Sequence, residues 1–252
     1  MTQSAITVPL LSPATITLRF GICSVRNSTR AAKSFAFDLE TTSRDAMSAQ
    51  LVGISLSPAP GESYYIPVGH AGLEEVKQLP LEMVTERLKP ALEDASLAKI
   101  AHNGKYDMTV LAEYGVTVNN LVFDTMLAAY LLGESSLSLK ALAFNRLGIE
   151  MTPITALIGS GAKQLSMSQV EIKRASDYAC ADADITLQLS KPLALELHHQ
   201  GLWELFFQVE MPLVPVLIHM ERNGIALDTE LLRQMSHQLG EQLLKLEAKI
   251  YN

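Results

Sequence analysis

Apolar and polar positions begin to alternate at Phe35. Phe35, Phe37 and Leu39 fall on one side of an extended segment, and Asp38 and Glu40 on the other. This predicts a strand over residues 35–41. Residues 51–57 and 63–68 read as two more strands, joined into a hairpin by the turn Pro58-Ala59-Pro60-Gly61. A helix follows over 81–93 with Pro90 near its end, then a short buried strand over 97–101.

The second half reads as helical. Asn103 is placed to cap a helix that runs to Tyr114, with Gly115 just past its end. Further helices are predicted over 124–132 and 137–147, closed by Gly133 and Gly148. Residues 152–167 read as a loop with Gly159 and Gly161. Ser168 and Glu171 have the spacing of a capping box. The long helix they open should pass Leu189 and reach His198, bending near Pro192. Gly201 marks a boundary. Beyond it, 202–223 is apolar and helical, Asn223-Gly224 is a turn, and Thr229 is placed to cap an amphipathic helix still running at Asn252, as in a piece of a larger protein. The order of elements predicts an α/β fold: a mixed sheet flanked by helices, with a helical C-terminal extension. Three regions are expected: a leader over 1–34, a domain over 35–200, and the start of another over 201–252.

Composition narrows the class. The chain has 252 residues, 48% of them apolar, which is ample for a packed core. No apolar run approaches the roughly 20 residues that cross a bilayer; residues 211–220 hold Pro212, Pro215 and His219. No membrane partner is expected. Two cysteines, Cys23 and Cys180, exclude a disulfide framework and suit a reducing compartment. No Asp or Glu precedes Asp38, whereas Arg19, Arg26, Arg30 and Lys33 do. That composition fits either an organelle transit peptide or, more plainly, a poorly ordered leader. A cytoplasmic, nucleoid-associated location is the main expectation. The net charge is -7. An acidic chain binds nucleic acid poorly through bulk charge, so metal ions or local basic residues would have to supply the attraction.

The acidic residues form a pattern. Asp38 and Glu40 project from one face of their strand and repel unless a cation lies between them. Asp107 sits in the first turn of its helix, where the helix dipole alone would favour it. Tyr178 and Asp182 are four apart and stack on one helical face, in a stripe with Ala175, Ile185 and Leu189. Asp182 therefore lies on an inward face, where a carboxylate needs a partner or a metal. Asp184 falls on another face and is expected to be solvated or supporting. Oxygen ligands of this kind suit Mg²⁺ or Mn²⁺. Four carboxylates can hold two such ions, as in-line displacement at phosphorus requires. Tyr178 is suited to orient a water rather than to act as a base, because a phenol titrates near 10.

The segments FDLETT, HNGKYD and YACADAD, which begin at Phe37, His102 and Tyr178, resemble the three exonuclease motifs of the DEDDy 3′→5′ exonucleases, the DnaQ-like superfamily with its ribonuclease H-like fold. More narrowly, EMPLVPVL and ERNGIALD, which begin at Glu210 and Glu221, resemble the junction where the polymerase domain of bacterial family A DNA polymerases begins. The resemblance implies a proofreading 3′→5′ exonuclease domain that releases nucleoside 5′-monophosphates from a single-stranded or frayed DNA 3′ end. It implies metal ligands Asp38, Glu40, Asp107 and Asp182, two Mg²⁺ or Mn²⁺ ions, and Tyr178 positioning the water. It implies a substrate contact from Asn103; Thr41, Arg44 and Lys105 are further expected substrate contacts, Lys105 suiting a plain surface equally well. The polymerase palm and fingers are not in the sequence, so the partner is the polymerase domain of a parent chain and no DNA extension is expected. Two positions depart from the family. Arg44 stands where an apolar residue is usual, and Gly104 where a larger apolar one is common. Two rival readings are a catalytically silent bracing domain and an RNase D-like enzyme trimming RNA.

Other residues read as structural. His70 and His102 lie near strand ends, Tyr64, Tyr65 and Trp203 suit a core, and Cys180 reads as a small buried residue. Lys163, Lys173 and Arg174 suit either phosphate contacts or a plain surface. An apolar face over 202–252 favours self-association.

Overall fold

A computed structural model describes residues 14–15, 32–71 and 78–251. Most of the predicted leader lies outside these residues. Its one described element is a two-residue strand, β1 (Ala14–Thr15), parallel to the sheet edge.

The sheet is mixed. Its other strands are β2 (Ser34–Thr41), β3 (Leu51–Ala59), β4 (Glu62–Pro67), β5 (Ala98–Ala101) and β6 (Leu121–Asp124), in the order β1-β4-β3-β2-β5-β6. β2 pairs antiparallel with β3 on one side and parallel with β5 on the other. Ligands of open α/β sheets gather at the carboxyl ends of such strands. β6 corrects the sequence reading, which began a helix at Asp124 with no strand before it. The strand is only four residues long and pairs parallel with β5, so its register is set by a distant partner rather than by a local pattern.

The predicted alternation of β2 holds. Phe35, Phe37 and Leu39 are buried in a core against α1 (Leu81–Leu92) and α2 (Gly104–Glu113), through Val84, Leu88, Val110 and Leu111. The opposite face is covered by one continuous helix, Ile172–His199, which runs unbroken through Pro192. Fully buried Ala175, Ala179 and Ala183 let this helix lie close to the sheet. Its N-terminus differs from expectation. The capping box is formed by Ser166 and Gln169 around a short 3₁₀ turn, and Glu171 precedes the long helix without a side-chain cap. The predicted loop also contains α5 (Ile154–Ile158), after the short helices α3 (Thr125–Leu131) and α4 (Leu139–Leu142). The long helix Ile172–His199, α6, follows them.

Packing continues past Gly201. Phe206 is fully buried with Leu189, Leu193 and Leu197, and Trp203 stacks on His198 at 4.2 Å between ring centroids. The first compact unit ends at Ile218. The second, residues 219–252, carries the predicted amphipathic helix, Thr229–Tyr251. Its cap is Asp228, not Thr229: the Asp228 carboxylate accepts from the Leu231 N–H at 2.9 Å.

Candidate active site

Three elements bring carboxylates to one place. Asp38 and Glu40 come from the polar face of β2 and Asp182 from the inward face of α6, and their ligand oxygens all lie within 4.8 Å of one another. Asp107, in the first turn of α2, is buried close enough to feel the charge of Asp38 and accepts a hydrogen bond from the Leu39 N–H. It stands outside the tight trio but shares a cavity of about 410 Å³ with Asp38, lined also by His102, Asn103 and Ser138.

The electrostatics are unfavourable without a cation. Loss of water raises Asp38, Glu40 and Asp107 well above the usual carboxylate range, and their mutual repulsion raises them further. Burial pushes Asp182 up to about 7, against a hydrogen bond from Tyr178 and the charge of Lys140. Even with Tyr178 as donor, Asp182 Oδ1 is buried with no hydrogen-bond partner among the described residues. A hard divalent cation answers both features: it takes up the orphan oxygen and neutralises the cluster. The residues present therefore fit such a group.

Tyr178 is raised by burial and by Asp182, Glu40 and Asp38, so its phenol keeps its proton. It faces a groove of about 760 Å³ with Glu40, Thr41, Arg44 and Asn103. Tyr106 bridges the groove floor, sharing a 2.5 Å hydrogen bond with Thr41 Oγ1 and donating to the Ser43 carbonyl. Ile154, Ile158, Leu165 and Met167 also line the groove. The side chain of Arg44 is exposed at the groove, while Lys105 is half-buried and lines neither cavity. Gly104 is buried below: a Cβ there would meet the Ala101 Cβ at 2.8 Å, so its departure from the family concerns packing against the sheet.

Asn103 holds a left-handed conformation, φ 63°, and its side chain does not cap α2 as predicted. Asp124 does that work. Its buried carboxylate accepts from the N–H groups of Asn103 at 3.1 Å and Gly104 at 2.7 Å, and from those of Met126 at 2.9 Å and Leu127 at 3.2 Å. One side chain thus ties the start of α2, which carries Asp107, to the start of α3. An Asp at the very start of a predicted helix was the signal for half of this role. Asp124→Ala orphans all four donors and should cost about 3 kcal/mol, read as a lower urea midpoint at unchanged slope.

Of the two expectations for Asp184, solvated or supporting, the structure removes the first. Asp184 is buried rather than solvated, and accepts from the Gly61 N–H and the Gln188 amide, both at 2.8 Å. The histidines and Cys180 are structural in their bonding. His102 shares a hydrogen bond with Thr125 Oγ1 and is pushed down to about 4 by burial. His70 links Tyr65 to the Val170 carbonyl. Burial pushes Cys180 up to about 11. Lys173 pairs with Asp177, and Arg174 donates to the Ala156 carbonyl.

The sequence matches the family of 3′-5′ exonuclease domains of A-type DNA polymerases over residues 14–198. A DNA polymerase I of Chloroflexus aurantiacus is 42% identical over 225 residues, covering 88% of this chain and 24% of that protein. The chain thus spans about a quarter of that relative. Two solved structures share the fold. The POL domain of M. smegmatis Pol1, in complex with DNA primer-template and dNTP, superposes with a TM-score of 0.72 at 23% identity, over 92% of this chain and 36% of that one. Escherichia coli RNase D does so at 0.63 and 20% identity, over 86% and 52%.

Proposed function

Because the chain belongs to the 3′-5′ exonuclease domain family of A-type DNA polymerases, we propose that it shortens single-stranded or frayed DNA from the 3′ end, releasing nucleoside 5′-monophosphates. The observation that carries this reading is the trio Asp38, Glu40 and Asp182 around an unpartnered buried oxygen at an open groove.

Asp38 belongs both to the trio and to the cavity it shares with Asp107. One Mg²⁺ or Mn²⁺ would be held by Asp38, Glu40 and Asp182, and a second by Asp38 and Asp107. Bound there, such ions supply the positive charge that activates a water and steadies the departing 3′ oxygen. The chain's own residues do the rest. Tyr178, protonated, donates to the attacking water and orients it. Asn103 presents its amide where the terminal nucleotide enters, and Tyr106 keeps the segment after β2 in shape. Arg44 contributes a cation for the phosphate backbone where the family usually offers an apolar surface. Lys105, further back, acts on more distant phosphates. The water oxygen bonds to phosphorus as the P–O3′ bond breaks; the water gives up a proton to solvent and the departing O3′ takes one up, leaving a shortened strand with a 3′-hydroxyl and one 5′-monophosphate.

The curated relative is a DNA polymerase, and RNase D shares the fold alone, so DNA is the substrate proposed. The polymerase region of a longer chain is its partner, with residues 201–252 at its start. Matched single-stranded DNA and RNA oligomers test the substrate. The DNA should be shortened faster, and Arg44→Leu should raise KM for DNA about threefold or more with kcat nearly unchanged, as for a lost uniform contact. Equal or faster RNA cleavage would overturn the DNA assignment.

A further inference from the structure

Lys140 enters the site from a segment to which the sequence assigned no chemistry. It sits in α4, whose first turn is capped by Ser138, accepting from the Ala141 N–H at 3.3 Å. Leu142 and Ala143 anchor the segment, both fully buried in the core that holds Leu189 and Phe206. Beyond them Arg146 Nε donates to Glu134 at 2.6 Å. The backbone around Lys140 is thus fastened on both sides, and its ammonium lies over the Tyr178 ring, 5.0 Å from the centroid. The same charge acts on Glu40 and Asp182. An ordinary surface lysine would extend its stem into water; this one is half-buried against an aromatic face.

Tyr178 is therefore held at two points: its hydroxyl by Asp182 and its ring by Lys140. Only one of these survives when the site is loaded. A phenol has one proton to donate, so a Tyr178 that donates to the water has left Asp182, whose unpartnered Oδ1 is the oxygen open to a cation. We propose that Lys140 is a positioning residue of the exonuclease, keeping the Tyr178 ring in place while its hydroxyl passes from Asp182 to the attacking water. The inference rests on the exonuclease reading above and goes beyond it by assigning a cation to the water's side of the site.

The test is a double-mutant cycle on the full chain with a single-stranded DNA oligomer, using Lys140→Met, Lys140→Arg, Tyr178→Phe and Lys140→Met with Tyr178→Phe. Lys140→Met should lower kcat about tenfold, the scale of a desolvated cation–π contact, with KM held within about twofold. Lys140→Arg, which also stacks on aromatic rings, should recover most of the rate. In the Tyr178→Phe background the Lys140→Met change should cost almost nothing more, because the hydroxyl it positions is already gone. Mn²⁺ affinity by calorimetry should be no weaker in Lys140→Met, since removing a nearby cation cannot disfavour a divalent ion. An unchanged kcat would overturn the proposal. So would a full additional loss in the Tyr178→Phe background, which would mean that Lys140 acts on the phosphate directly, or weaker Mn²⁺ binding. The wild-type chain run alongside separates the two levels. An inactive wild type removes the exonuclease reading and this inference together; an active one with an indifferent Lys140→Met removes this inference alone.

Discussion

Asp38→Ala should lower the rate of 3′-end hydrolysis by about 10³-fold or more, because the charge stabilisation it organises is worth several kcal/mol. Asp38 lies within ligand reach of Glu40 and Asp182 and also lines the cavity that holds Asp107. Removing it therefore breaks both candidate cation positions, whereas removing Asp107 leaves the trio intact. The loss should fall on kcat, with DNA binding in the absence of cleavage little changed. Mn²⁺ binding should weaken in parallel. The fold should survive, because among the described residues the Asp38 carboxylate satisfies no buried donor, and its charge is repelled by Asp182. An Asp38→Ala chain retaining activity within about tenfold of the wild type, a gap of only 1.4 kcal/mol, would refute the metal-ligand assignment.

The second large effect is on stability. In EDTA the protein should be less stable at pH 8 than at pH 5. Asp182 titrates near 3.8 when unfolded and at about 7 when folded, raised chiefly by burial. A group raised by folding contributes stability that is complete below its unfolded value and is lost as pH climbs through its folded one. Asp38, Glu40 and Asp107 are raised in the same direction by burial and mutual repulsion, so they add to the loss. Asp182 alone accounts for about 3 kcal/mol between pH 5 and 8, which lowers the melting temperature of a domain this size by roughly 10 °C. Saturating Mn²⁺ should restore much of it at pH 8, by binding the ionised folded site only. Asp182→Asn should flatten part of the pH dependence. A melting temperature that is level or rising from pH 5 to 8 in EDTA would mean the carboxylates are solvated and the cluster is not built for cations.

What the sequence disclosed was local. The period-two pattern of 35–41 separated Phe35, Phe37 and Leu39 from Asp38 and Glu40, and the structure keeps that separation. The four-residue spacing of Tyr178 and Asp182 put both on one helical face, and they are hydrogen bonded there. The glycines expected to end helices do so: Gly115 and Gly133 have φ of 71° and 72°, where a side chain would be strained. What stayed hidden depends on partners far along the chain. Asp124 was legible as the start of one helix, but its hold on Asn103 and Gly104 requires β5 and β6 to be adjacent. Lys140 looks like any helical lysine until the fold brings Tyr178 beneath it. The helical face of Asp184 left solvated and supporting roles open, and the β3–β4 turn decides between them by folding over it and offering the Gly61 N–H. The groove-lining Ile154 and Ile158 sit in a five-residue helix, too short for its periodicity to stand out from a glycine-bearing loop.

The central claim is that this carboxylate cluster hydrolyses DNA from the 3′ end. The most direct test is to incubate the purified chain with a 5′-labelled single-stranded oligomer and Mg²⁺ or Mn²⁺, and to separate the products by length. The account predicts a ladder of labelled strands shortened one nucleotide at a time from the unlabelled end, unlabelled 5′-monophosphates in solution, and neither in EDTA. An intact strand from a folded, Mn²⁺-binding protein, or release of the 5′ label as the first product, would contradict it.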